Sequence, residues 1–252
     1  MKIIVLGCGT STGVPVIGCH CGVCRMPDPK NRRTRASLLI QTSGRNILID
    51  TSTDLRAQAL ASNIERIDFV LFTHPHADHI HGIDELRTFN MAQKEAIPCY
   101  GNGYTIKRIR RVFDYIFEEG IKENWRPNLT TAIIDSEVSL AGIKVTPIEI
   151  LHGDTTILGY RIGKAAYLTD CSFIPDSSLE KLRGLGLLVI GALRYKPHPT
   201  HFSIDQAIEL SSAVKPGRTV LTHLSHNLDY TADNAKLPKG VELAYDGMVI
   251  EV

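Results

Sequence analysis

Short apolar runs alternate with turn-forming residues through most of the chain. The first, residues 2–6, is rich in β-branched side chains and stops at Gly7, after which Gly9, Thr10, Ser11, Gly13 and Pro15 supply turn chemistry, so a strand followed by a loop is predicted. Residues 37–41 and 46–49 are two apolar runs split by Thr42, Ser43, Gly44 and Arg45, the pattern of a hairpin, with Asp50 ending its second strand. From Thr53 or Asp54 to about Asn63, Leu55, Ala59 and Leu60 share one helical face. A buried strand over 69–72 then delivers Thr73 and His74 into a loop.

Beyond that loop the pattern predicts a helix over 80–89, a strand over 97–100, a helix over 104–117 and an irregular connection over 119–128. Strands follow near 132–135, 137–140, 144–151, 157–162 and 165–168, most of the turns between them carrying Gly or Asp. A strand at 187–190, a helix at 204–214 and strands at 219–221 and 248–252 restore the alternation of strand and helix. Strand-rich halves with helices outside predict an α/β fold of two sheets packed face to face and covered on both sides. No internal repeat, low-complexity tract or linker interrupts the pattern, so a single domain over 1–252 is expected.

A chain of 252 residues can bury a sizeable core without disulfides. Its net charge of +1 argues against a broad basic face for nucleic acid. Lys107, Arg108, Arg110 and Arg111 read as the watered face of a helix. No stretch approaches 18 apolar residues and no leader pattern opens the chain, so a cytoplasmic protein with no membrane partner is expected. A homodimer is the expected assembly. Of the six cysteines, Cys8, Cys99 and Cys171 read as small buried apolar residues, Cys171 standing beside Asp170, whereas Cys19, Cys21 and Cys24 crowd into six positions, which favours metal.

Residues 73–82 read T-H-P-H-A-D-H-I-H-G, placing three histidines and a carboxylate within six positions just after an apolar strand. Imidazole and carboxylate suit Zn, Mn, Fe or Ni, and Pro75 restricts His74 to extended geometry. A run His-x-His-x-Asp-His after a strand resembles the signature of the metallo-β-lactamase superfamily, and the likeness is complete from His74 to His79. The resemblance implies an αββα sandwich and three further ligands, for which His152, Asp170 and His223 stand at predicted strand ends. Carried over, His74, His76 and His152 would bind one metal, Asp78, His79 and His223 a second, and Asp170 would bridge. His81 lies outside the motif and reads as a supporting or surface residue.

Cys19, Cys21 and Cys24 offer three thiolates, one donor short of a closed zinc site. His226, three residues after His223, is the candidate fourth, in preference to His20; a redox pair or a plain loop is the alternative. This cysteine group, the stretch L-T-H-L-S-H-N-L-D at 221–229 and G-T-S-T-G-V-P near the N-terminus resemble the PhnP-like phosphoribosyl 1,2-cyclic phosphate phosphodiesterases over nearly the whole chain. That likeness implies active-site manganese, a structural zinc, and a late histidine as proton donor, matched by His201 with His198 nearby. The segment 104–128 has no counterpart in the family pattern and is expected to shape access.

The chemistry implied is hydrolysis of a small phosphodiester, cyclic ones included, by a water shared between two metals about 3.5 to 4 Å apart. His201 would protonate the leaving group from a pKa near 6.5, with Asp78 and Asp170 in the catalytic centre. Arg87 or Arg35 offers a fork for the phosphate, and His198 a further contact. Rival readings on the same ligands are a thiolester or lactone hydrolase and an RNA 3′-end nuclease. A non-enzymatic metal sensor would leave the open ligand set unexplained.

Overall fold

The computed structural model describes residues 1–118 and 126–252. Its strands are β1 (Lys2–Gly7), β2 (Ser37–Thr42), β3 (Arg45–Ile49), β4 (Phe69–Leu71), β5 (Ile97–Gly101), β6 (Leu129–Ile133), β7 (Val138–Leu140), β8 (Ile143–His152), β9 (Thr155–Ile162), β10 (Ala165–Leu168), β11 (Leu187–Gly191), β12 (Arg218–Thr222), β13 (Val241–Leu243) and β14 (Met248–Glu251). They form two seven-stranded sheets, β14-β1-β2-β3-β4-β5-β6 and β13-β12-β11-β10-β9-β8-β7. In each sheet four neighbouring strands, β14-β1-β2-β3 and β7-β8-β9-β10, pair antiparallel and the next three pairings are parallel, so the topology repeats although the sequence carries no visible repeat.

Alternation along the strands decides the layers. Ile3 and Val5 point between the sheets with Ile47, Ile49, Val145, Tyr160 and Val189, whereas Ile4 and Leu6 point outward with Leu39 and Leu48. Helices α1 (Leu55–Ala61), α2 (Leu86–Gln93) and α3 (Gly103–Val112) cover that outward face through Leu55, Ala59, Leu86, Phe89 and Ile109. On the other sheet, α4 (Ile204–Val214) packs Ile204 and Ala207 into the core, and Ser203 and Gln206 close a capping box at its start. The result is the αββα sandwich the pattern predicts.

Two helices differ from the sequence reading. The helix expected over 80–89 is a turn at Ala77–Ile80, a 3₁₀ turn at Ile83–Glu85 and only then α2. At the break, Gly82 lies so close to the Ser52 carbonyl that a Cβ would stand 2.0 Å from it, and that contact ties the loop after β4 to the loop after β3. The helix expected over 104–117 ends at Phe113, whose backbone leaves the helical region, and resumes as Asp114–Phe117. The irregular connection expected over 119–128 lies, for residues 119–125, outside the described residues. No helix among the described residues is long and apolar enough to cross a membrane.

Candidate metal centre

Four residues of the predicted cluster sit at or just beyond the C-terminal ends of strands. His74 follows β4, His152 ends β8, Asp170 follows β10 and His223 follows β12. The turn Ala77–Ile80 sets Asp78 and His79 inward, both buried, while His76 stays exposed. Asp170 (φ 53°) and His223 (φ 58°) are left-handed, as is Asp50 (φ 63°) after β3. Non-glycine residues hold that conformation only when their surroundings impose it.

The donors converge. His74, His76 and His152 bring ligand atoms within 4.8 Å of one another, as do His74, His79 and Asp170, and Asp78, His79 and His223. Asp170 is the hub: one oxygen lies 3.1 Å from His223 Nδ1 and 3.4 Å from His79 Nε2, the other 3.8 Å from His74 Nε2 and 3.9 Å from His201 Nδ1. Among the described residues eight buried side-chain polar atoms lack a hydrogen bond. Four of them are His74 Nε2, His79 Nε2, His223 Nδ1 and Asp78 Oδ2. Buried polar atoms ordinarily find partners, so four unpaired donor atoms facing one space fit a pair of cations between them.

Supporting groups fix the ring orientations. His79 Nδ1 donates to Asp50 at 2.8 Å, and Asp50 also accepts from the Thr73 amide and hydroxyl at 2.8 Å each, which turns His79 Nε2 inward. His223 Nε2 meets Thr10 Oγ1 at 3.2 Å, and His152 Nδ1 donates to the Thr200 carbonyl at 2.8 Å. The sequence reading assigned none of these three a part in the site. Burial opposes charge on His79, but Asp170, Asp78 and Asp50 outweigh it and lift its pKa well above the usual range, while burial holds His74 and His223 below theirs. Burial raises the Asp170 carboxyl, yet His223 and His79 hold it well below the ordinary value.

His201 joins the cluster, since His152, Asp170 and His201 also bring ligand atoms together. The Phe202 amide, bonded to the Cys171 carbonyl at 2.6 Å, fixes its position. Burial pushes its pKa down to about 3 against the pull of Asp170, so a freely titrating imidazole near 6.5 does not describe it. His198 lies one layer out, its ring 5.1 Å from that of His201 and its Nδ1 3.2 Å from Thr200 Oγ1.

The candidate arginines are engaged elsewhere. Arg87 is exposed on α2, 3.6 Å from Asp84, in a groove with Asn90, Met91, Lys94 and Arg126. Arg35 pairs with both oxygens of Asp54 at 3.1 Å. Each sits next to an acidic residue of its own surface. His81 is exposed, its ring edge against Phe113. Lys107, Arg108, Arg110 and Arg111 are exposed, and Cys8, Cys99 and Cys171 are buried.

The second group is equally compact. His226 Nδ1 lies 3.3, 3.6 and 3.5 Å from the Sγ atoms of Cys19, Cys21 and Cys24, and all three thiols are free. A tetrahedral zinc with Zn–S of about 2.3 Å and Zn–N of about 2.0 Å sets the S···N edge at about 3.5 Å, so the tetrad fits that ion. The Cys24 amide pointing at Cys21 Sγ lowers the Cys21 pKa to about 6, and burial lifts Cys24 to about 11. His20 is exposed and outside the tetrad. Cys21→Ser is expected to lose one tightly held zinc per chain and to lower the melting temperature by about 5 °C or more. Elemental analysis beside a thermal melt checks both, and an unchanged zinc count would rule the tetrad out as a zinc site.

Comparison with known proteins agrees with this geometry. A family model described as a beta-lactamase superfamily domain matches residues 45–224. An octanoyltransferase of Porphyromonas gingivalis is 42% identical over 98% of this chain, and the chain spans about half, 51%, of that protein. A crystal structure of a new diphosphatase from the PhnP family superposes with a TM-score of 0.93 at 43% identity, covering 100% of this chain and 97% of that one. Human tRNase Z, short form, superposes with a TM-score of 0.74 at 20% identity, covering 100% and 99%, a likeness of fold alone.

Proposed function

The chain belongs to the beta-lactamase domain superfamily, and from that premise we propose that it hydrolyses a P–O bond in a small phosphodiester, cyclic ribose phosphates included. The observation that carries this reading is the convergence of unpaired donor atoms on one space with His201 beside them. When bound, two divalent cations, manganese or zinc, with iron or nickel also suited to this donor set, would supply Lewis acidity and acidify water towards neutrality. His74, His76 and His152 would hold one ion and Asp78, His79 and His223 the other, with Asp170 shared. Asp50, Thr10 and Thr200 keep the rings turned to the centre. His74, His79 and His223 are closed to water, whereas His76 is exposed and His152, His198 and His201 half-buried, so substrate would enter on that side. There His201 would meet the leaving oxygen and His198 a non-bridging one.

A second reading, a diphosphate rather than a diester, is favoured by the full-length likeness to the PhnP-family diphosphatase. The deciding experiment loads purified protein with Mn or Zn. It then compares bis-p-nitrophenyl phosphate, cyclic nucleotides, cyclic ribose phosphate, a nucleoside diphosphate ester, a 3′-extended RNA and a thiolester panel. Turnover of the small diesters far above the rest is expected. Preference for the diphosphate selects the second reading. Preference for RNA or thiolesters overturns both and brings the tRNase Z or octanoyltransferase likeness forward.

A further inference from the structure

Arg33 is among the largest fully buried side chains, 2% exposed, yet among the described residues it forms no salt bridge. Burying a guanidinium is costly, so what it binds matters. Nη1 donates to the Ser225 carbonyl at 2.8 Å, and Nη2 to the Leu228 carbonyl at 2.8 Å and to Asn31 Oδ1 at 2.9 Å. The two carbonyls straddle His226, and Ser225 stands two residues after His223. The arginine's backbone faces the other way: its amide and carbonyl pair with those of Val14 at 2.8 Å each, on the loop that leads to Cys19. Asn31 extends the clamp, accepting from the Tyr230 amide at 2.8 Å and donating to Asp229 at 2.8 Å.

One residue therefore holds the cysteine loop by its backbone and the histidine loop by its side chain, and that histidine loop carries a donor for each metal group. His223 is left-handed, so its ring is aimed only while this loop is held. We propose that Arg33 is a positioning residue shared by both metal centres, fixing His226 for the cysteine site and His223 for the active-site pair. This rests on the ligand assignment given above. It carries an asymmetry: His74 and His76 lie on the loop after β4 and His152 ends β8, neither of which Arg33 hydrogen-bonds, so two of three cation positions depend on it and the third does not.

The test uses the full chain with Arg33→Lys, which keeps the charge but loses the fork, and Asn31→Ala, which touches neither centre. Zinc retention is read against a chelator, and Mn(II) binding by titration and electron paramagnetic resonance. The expected result is about 10- to 100-fold weaker zinc and about 10- to 100-fold weaker second Mn(II), with the first Mn(II) unchanged. The spin-coupled signal of a manganese pair should then give way to the six-line signal of a lone ion. Asn31→Ala should show the same selectivity at about tenfold, and it decides the matter should Arg33→Lys fail to fold. A lowered melting temperature with wild-type affinities, or equal weakening of all three positions, would overturn the proposal. Failure of the ligand assignment is separable, because unaltered protein would then bind no manganese pair at all.

Discussion

Asp170→Asn is expected to abolish binding of both active-site ions while leaving the cysteine-bound zinc in place, and to cut kcat/KM by about 10⁴-fold or more. Asparagine is the informative substitution because position 170 is left-handed at φ 53°. Asparagine tolerates that conformation, whereas alanine would add about 1–2 kcal/mol of strain unrelated to metal. The carboxylate oxygens divide between His223 and His79 on one side and His74 and His201 on the other. A neutral amide would present one acceptor to a space lined, among the described residues, by six imidazoles and one other carboxylate, Asp78. Elemental analysis reports the outcome, and the retained zinc shows that the chain is still folded. Two ions bound at wild-type affinity in Asp170→Asn would remove this residue from its bridging place.

How far the site could be read from sequence follows from how each residue is brought to it. His74, His76, Asp78 and His79 are legible because chain spacing alone gathers them after one strand. His152, Asp170 and His223 are legible because each ends an apolar run, which puts all three at one edge of a sheet. Asp50 also ends a strand, but a lone carboxylate there has many ordinary uses. Only the parallel pairing of β3 with β4, Ile49 opposite Leu71, sets it beside Thr73 and His79. Thr10 and Arg33 act across more than 190 positions of sequence, on His223 and Ser225, and no local pattern announces such contacts.

The fold divides in the same way. β1 to β4 and β9 to β12 are mostly apolar runs bounded by turn residues, β8 alternates over much of its length and α4 keeps a helical period, and these patterns carry them. β13 has three residues, paired parallel to β12, too few for a period to show. β6 is an edge strand with Thr130, Ala132 and Ile133 exposed, so burial leaves little pattern, and the strand expected over 132–135 lies at Leu129–Ile133 instead. Arg87, offered with Arg35 as a phosphate fork because it follows the metal loop by about two helical turns, comes after a break at Gly82 and stands beside Asp84.

His201→Ala is expected to lower kcat by about 10² to 10⁴-fold on a ribose-type diester and far less on a nitrophenyl diester, with metal content unchanged. The ring faces Asp170 at 3.9 Å, 4.7 Å centroid to centroid from His152 and 5.0 Å from His223, which puts it inside the candidate metal cluster. Burial holds it neutral in the free protein, with a pKa of about 3. Proton donation therefore depends on what binds beside it: an anionic phosphate against the ring favours the charged imidazole that burial disfavours. An alkoxide leaves poorly without a proton and nitrophenolate leaves readily, so the ratio of losses on the two substrates separates proton transfer from positioning. Equal losses on both would make His201 a phosphate contact. His198→Ala, one layer farther out, should cost less on either substrate, and a larger selective loss there would move the donor role to His198.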